Sequence, residues 1–107
     1  MPKYLLKARY NSEGLAGVMR DGGSARRDAA NDLAKQVGGS VEEFFFAFGE
    51  DDAFVICDLP SNEAAARLAL TVSASGRVTV TTVPLLTVQE IDEICAAEKL
   101  NYVAPGT

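Results

Sequence analysis

The stretch Val41-Glu42-Glu43-Phe44-Phe45-Phe46-Ala47-Phe48, then Gly49-Glu50-Asp51-Asp52, then Ala53-Phe54-Val55-Ile56-Cys57-Asp58-Leu59, decides how this chain folds. Two apolar runs of strand length, rich in aromatic and β-branched residues, flank a short polar turn. So short a connection makes the two strands an antiparallel hairpin in mid-chain. Side chains alternate along a strand, so three consecutive phenylalanines must be divided between two faces. One face receives Phe45 and the other receives Phe44 and Phe46; a one-residue change of register would exchange them. Either way, both faces of the sheet carry aromatic rings.

Working outward towards the N-terminus, Gly38-Gly39 closes a helical segment in the manner of a C-terminal cap. Its apolar stripe is Ala29, Ala30, Leu33, Ala34 and Val37, and Ser24 is its expected N-cap. Asp21-Gly22-Gly23-Ser24 separates it from a shorter helix capped by Asn11 or Ser12. In that helix Leu15, Val18 and Met19 fall at i, i+3 and i+4, which marks Met19 as a core residue. Before it, Tyr4 to Tyr10 sets Tyr4, Leu6, Ala8 and Tyr10 on one side of a strand and Leu5, Lys7 and Arg9 on the other.

Towards the C-terminus, Pro60-Ser61-Asn62 opens a helix to about Ser75, with Ala65, Leu68, Ala69 and Val72 on one face. Gly76 stops it, and Arg77 to Val83 alternates as a fourth strand. Thr87-Val88-Gln89-Glu90 is a capping box that starts a final helix reaching about Glu98. Residues 98–107 are expected to form a loosely ordered tail. The order β-α-β-β-α-β plus a helix predicts an α+β fold of the split βαβ type. Its four-stranded antiparallel sheet is covered by helices on one face. An uncovered second face bearing aromatics marks an interface. The expected partner is another copy of the chain, a homodimer or higher homo-oligomer, with Leu5, Lys7, Arg9, Phe45, Thr79 and Thr81 as candidate interface residues. Covering that face obliges Lys7 and Arg9 to find acid partners, because an unpaired buried charge is very costly.

Composition bounds the rest. With 107 residues, 48% hydrophobic and 23% charged, the chain is one domain over residues 1–107 with enough apolar material for a core. A net charge of −5 argues against nucleic acid as a partner. The absence of histidine excludes His-based nucleophilic triads and His-ligated metals. No apolar stretch approaches the roughly 20 residues that span a bilayer, so no membrane partner is expected. The N-terminal apolar run is too short for a secretory signal, which predicts a cytoplasmic protein with two reduced thiols. Cys57, inside Phe54-Val55-Ile56-Cys57, reads as a buried structural thiol, and its distance from Cys95 fits no metal site. Residues 1–40 hold seven bases and four acids, net +3, whereas residues 41–107 hold three bases and eleven acids, net −8. That division is either an uneven solvated surface or the basis of complementarity between subunits.

Two clusters invite chemistry. The Gly22-Gly23-Ser24 turn opens a helix whose free N–H groups and dipole favour an anion, and Arg26 and Arg27 add donors for a carboxylate or phosphate. Gly23, Ser24, Arg26 and Arg27 are therefore candidate ligand-binding residues. The plainer reading is a helix break with solvated arginines paired to Asp28 or to another subunit. Glu50-Asp51-Asp52 supplies three carboxylates, but the spacing fits no calcium loop and turn aspartates commonly cap their own backbone. No metal is expected; the acidic turn is a candidate partner for Arg26 or Arg27 across an interface, and Asp52 is counted with the candidate ligand-binding residues. Tyr10, at the end of its strand, is placed to stand at the mouth of a site between sheet and helix, its hydroxyl a donor or acid.

Four blocks, Pro2-Lys3-Tyr4-Leu5-Leu6-Lys7, Gly22-Gly23-Ser24-Ala25-Arg26-Arg27, Phe46-Ala47-Phe48-Gly49-Glu50-Asp51-Asp52 and Thr81-Thr82-Val83-Pro84-Leu85-Leu86-Thr87, occur in the order that resembles the GYD domain family. The resemblance runs from the N-terminus to about Ala97. Gly49 and Asp52 match the family's Gly, Tyr, Asp signature, while Asp51 stands where the tyrosine is expected. It implies a small bacterial protein similar to ferredoxin-like dimeric α+β barrels, which pair their open sheet faces and in some cases hold small organic substrates between sheet and helices. Two functions remain open. One is a binding module for a small anionic ligand, or an assembly or regulatory domain, without a cofactor. The other is a cofactor-independent enzyme of the monooxygenase or isomerase kind acting on a small organic molecule.

Overall fold

The computed structural model describes all 107 residues. β1 (Lys3–Tyr10) is followed by α1 (Ser12–Asp21) and α2 (Gly23–Gln36). The hairpin of β2 (Ser40–Phe46) and β3 (Ala53–Asp58) comes next, then α3 (Asn62–Ala74), β4 (Val78–Leu85) and α4 (Val88–Ala96). The strands form one antiparallel sheet in the order β2-β3-β1-β4, which is the ferredoxin-like arrangement. No helix is long and apolar enough to cross a membrane.

Register settles the phenylalanines. Phe44 pairs with Val55 and Phe46 with Ala53, on the helix-covered side, whereas Phe45 pairs with Phe54 on the other. A bulge between Val41 and Glu43 adds the extra residue that sets this phase. The core is on the helix side, where Tyr4, Leu6, Val55, Cys57 and Leu59 meet Ala34 of α2 and Ala65 and Leu68 of α3. The Tyr4 hydroxyl donates to Asn62 Oδ1 at 2.6 Å, so the largest core ring keeps its polar end satisfied beside the start of α3.

The caps follow the sequence in most places. The Asn11 and Ser61 side chains accept from Gly14 N–H and Ala64 N–H, and the Thr87–Glu90 capping box is formed in both directions. At the end of α2, Gly38 N–H donates to Lys35 C=O and Gly39 N–H to Ala34 C=O, a Schellman motif with Gly38 at φ 87°.

Two expectations fail. Ser24 is not an N-cap: Gly22, at φ 87°, occupies that position without a side-chain bond, and Ser24 is an exposed residue of the first turn. Met19 is not core but 88% exposed, and α1 buries no residue. The reason is the sharp turn at Gly22. It hands the place over the sheet to α2, leaving α1 at the margin against α2 and the end of β1.

Candidate functional site

Between the sheet and its helices lies a cavity of about 80 Å³. β1 contributes Leu6, Ala8 and Tyr10, the hairpin Phe44, Val55 and Cys57, and β4 Val78 and Val80. Ala29, Ala30 and Leu33 of α2 and Leu68 and Val72 of α3 roof it, and Arg26 is its one charged residue. Helical spacing explains this: Arg26, Ala30, Leu33 and Val37 recur at i, i+4, i+7 and i+11, so the arginine lies on the apolar stripe of α2. Arg26 Nε is buried and has no hydrogen-bond partner. A buried donor left unmade costs on the order of 1–3 kcal/mol, more when charged.

The cavity shares Tyr10, Arg26, Leu33, Val72 and Val78 with an adjoining polar groove of about 340 Å³ between α1, the start of α2 and the end of α3. Three arginines face this groove. Arg20 pairs with Asp21 at 3.0 Å and Arg77 with Glu13 at 3.4 Å, while Arg26 has no ion pair. The hydrogen bond from Arg20 holds the Asp21 carboxyl below the usual carboxylate range. The groove therefore carries one cation more than its acids compensate.

Of the residues singled out in the sequence, Tyr10 and Arg26 are brought together at the junction of cavity and groove. Arg27 is on a different side of α2, exposed and 3.3 Å from Asp28. Gly23 starts α2 beneath the Phe46 ring, and Ser24 is exposed; neither lines the cavity.

Asp52 serves the backbone. Its carboxylate accepts from Tyr10 N–H at 2.8 Å, and its own N–H donates to Ala8 C=O at 2.8 Å. It clamps the hairpin turn to β1 and meets neither arginine within the chain. Asp51 takes a role that sequence reasoning missed. It is directed across the open face of the sheet, 3.9 Å from Lys7 Nζ and 3.5 Å from Arg9 Nε, and is the acid partner those two cations required. Leu5, Lys7, Arg9, Phe45, Thr79 and Thr81 share that face by register, with Phe45 61% exposed. Both cysteines are free thiols, Cys57 buried and Cys95 exposed. Burial pushes the Cys57 thiol up to about 11, which keeps it neutral and unreactive. No group of carboxylates or cysteines has the arrangement of a metal site.

A ferredoxin-like α+β domain with an apolar cavity on the helix side and a lone arginine at its rim is the class that fold and site define. Within that class the chain belongs to the GYD domain family, which matches residues 4–95. No curated protein matches the sequence.

Proposed function

We propose that this GYD domain binds a small organic monoanion. The apolar body enters the cavity between the sheet and α2, and the charged end pairs with Arg26. One observation carries the reading: a guanidinium with a buried, unpartnered Nε at the rim of an otherwise apolar cavity. A carboxylate there accepts from Arg26 and removes that penalty, in a water-poor setting that strengthens the charge-assisted bond. The neighbouring Arg20–Asp21 and Arg77–Glu13 pairs hold their own charges, so the groove favours one negative charge over two.

The test is amide chemical-shift titration with butyrate, hexanoate and benzoate, each against its neutral amide. The acids are expected to shift signals from Ala30, Leu33, Val72 and Val78, and the amides far less. Arg26→Gln is expected to weaken acid binding about tenfold or more, as loss of a charge-assisted bond of roughly 1.5–3 kcal/mol requires. Arg27→Ala is expected to leave it unchanged. Equal binding of acids and amides would remove the proposal.

Tyr10 stands at the same junction, which favours a second reading in which the bound molecule is turned over without a cofactor. There its hydroxyl is the acid, and loss of turnover in Tyr10→Phe with binding retained is the result that distinguishes the two.

A further inference from the structure

α4 stands apart from the domain. None of its residues is buried, and it meets no other helix or strand beyond marginal contact. Yet its sequence is amphipathic: Val88, Ile91 and Cys95 recur at i, i+3 and i+7, with Ile94 beside them. Val88 is 80% and Ile94 58% exposed, and Leu100, Tyr102 and Val103 continue the exposed apolar surface. A nine-residue helix is marginal in water by itself and takes its stability from a packed face. What secures it is confined to its ends: the Thr87–Glu90 capping box at the first turn, and Lys99 Nζ donating to the Cys95 carbonyl at 2.9 Å in the last.

The overall dimensions say how much surface awaits cover. The accessible area is 7509 Å², whereas a folded monomer of 11.3 kDa exposes about 5,700 Å². The radius of gyration is 17.1 Å with a longest extent of 56 Å, against about 13 Å for a compact chain of this length. An excess of about 1,800 Å² exceeds the roughly 800 Å² that each partner contributes to a standard interface.

A counterpart surface is on the same chain. The open sheet face presents Leu5, Phe45, Phe54, Ile56 and Val83. Its basic end is where Lys7 and Arg9 share the single carboxylate of Asp51, whereas at the other end Lys3 is paired with Asp58 and Glu42 and Glu43 adds a further acid. Residues 86–107 carry four acids, Glu90, Asp92, Glu93 and Glu98, and one base, Lys99, a net of −3. A second copy presents both surfaces, and a two-fold arrangement satisfies both at once.

We propose that α4 and the residues after it are an arm that packs on the body of a second copy of this chain, whose own arm packs back in return. The proposal uses residues outside the cavity, so it stands or falls separately from ligand binding.

The test is native mass spectrometry with light scattering on the full chain, wild type against an Ile91→Asp/Ile94→Asp double variant. Wild type is expected to be a dimer at low-micromolar concentration, and the variant a monomer whose association is weakened at least tenfold. Both positions are exposed, so the body is expected to stay folded, and continued protection of Cys57 from thiol reagents reports that it does. A second readout needs no variant: Cys95, on the apolar side of α4, is expected to react more slowly as wild-type concentration rises. A wild-type monomer, a dimer unmoved by the double variant, or a Cys95 rate independent of concentration would each overturn the proposal.

Discussion

The two faces of β1 are built from adjacent residues and meet opposite fates. Tyr4, Leu6 and Ala8 are all under 8% exposed beneath α2 and α3, while Leu5, Lys7 and Arg9 look out from the other side of the same strand. The helix side closes on itself with few polar groups to satisfy: the Tyr4 hydroxyl has Asn62, and only Arg26 Nε is left over. The open side mixes five apolar residues with ion pairs, Lys7 and Arg9 sharing Asp51 and Lys3 held by Asp58 and Glu42. One face is a finished core with a cavity in it; the other leaves apolar residues such as Phe45 exposed. Core and open face are thus encoded one residue out of phase with each other along a single strand.

Shortening the neighbouring Leu5 and Leu6 separates the two faces by the largest effect. Leu6→Ala is expected to cost about 2–5 kcal/mol in urea unfolding, independent of protein concentration, because it leaves a void in the core. Leu5→Ala is expected to cost much less in a dissociated chain and to act mainly on assembly. Equal, concentration-independent losses would show that the open face is not different in kind.

Asp52→Ala comes next. Removing the acceptor for Tyr10 N–H frees the hairpin turn from β1 and is expected to cost about 1–3 kcal/mol, read by the same unfolding curves. Gly38→Ala forces a left-handed conformation on an L side chain and is expected to cost about 1–2 kcal/mol at the end of α2.

The thiols sharpen the contrast chemically. At pH 8 Cys95 is expected to react and Cys57 to stay protected until the chain unfolds, as followed by mass spectrometry. The folded state raises the Cys57 thiol towards about 11, so its share of stability is intact below the ordinary thiol range and declines as pH rises from there. A flat stability profile from pH 8 to 11 would contradict that burial.

The smallest effect belongs to α4. The backbone hydrogen bond from Thr87 holds the Glu90 carboxyl below its ordinary range. The stability it lends the capping box is therefore present above that range and lost as pH falls through the lowered value. Glu90→Ala is expected to lower helical circular dichroism slightly at neutral pH and to remove that acid-side change.

Much of this was legible along the chain. The Asn11, Ser61 and Thr87 caps and the Gly38-Gly39 stop are local devices, whose capping hydrogen bonds reach only a few residues. They announce themselves at fixed spacings. Met19 and Ser24 were misread because their surroundings depend on where Gly22 turns the chain, and φ 87° there rotates α2 away from the line of α1. Arg26 and Arg27 read alike as a basic pair, although the stripe of Ala30, Leu33 and Val37 already distinguished them. About 100° of helical rotation puts one in the cavity rim and the other in water beside Asp28.

The order of elements, the antiparallel hairpin, the division of apolar from charged residues on β1 and the amphipathic character of α4 are all written in the local sequence. All of these follow from periods of 2 and 3.6 residues and from turn chemistry that neighbouring residues control. Which phenylalanine faces outward, that Asp51 serves Lys7 and Arg9, that Arg26 Nε is left without a partner, and that α4 finds no seat on its own domain emerge only when the chain is folded. Those outcomes depend on register, helix phase and distances between residues far apart in the chain, which local periodicity does not specify.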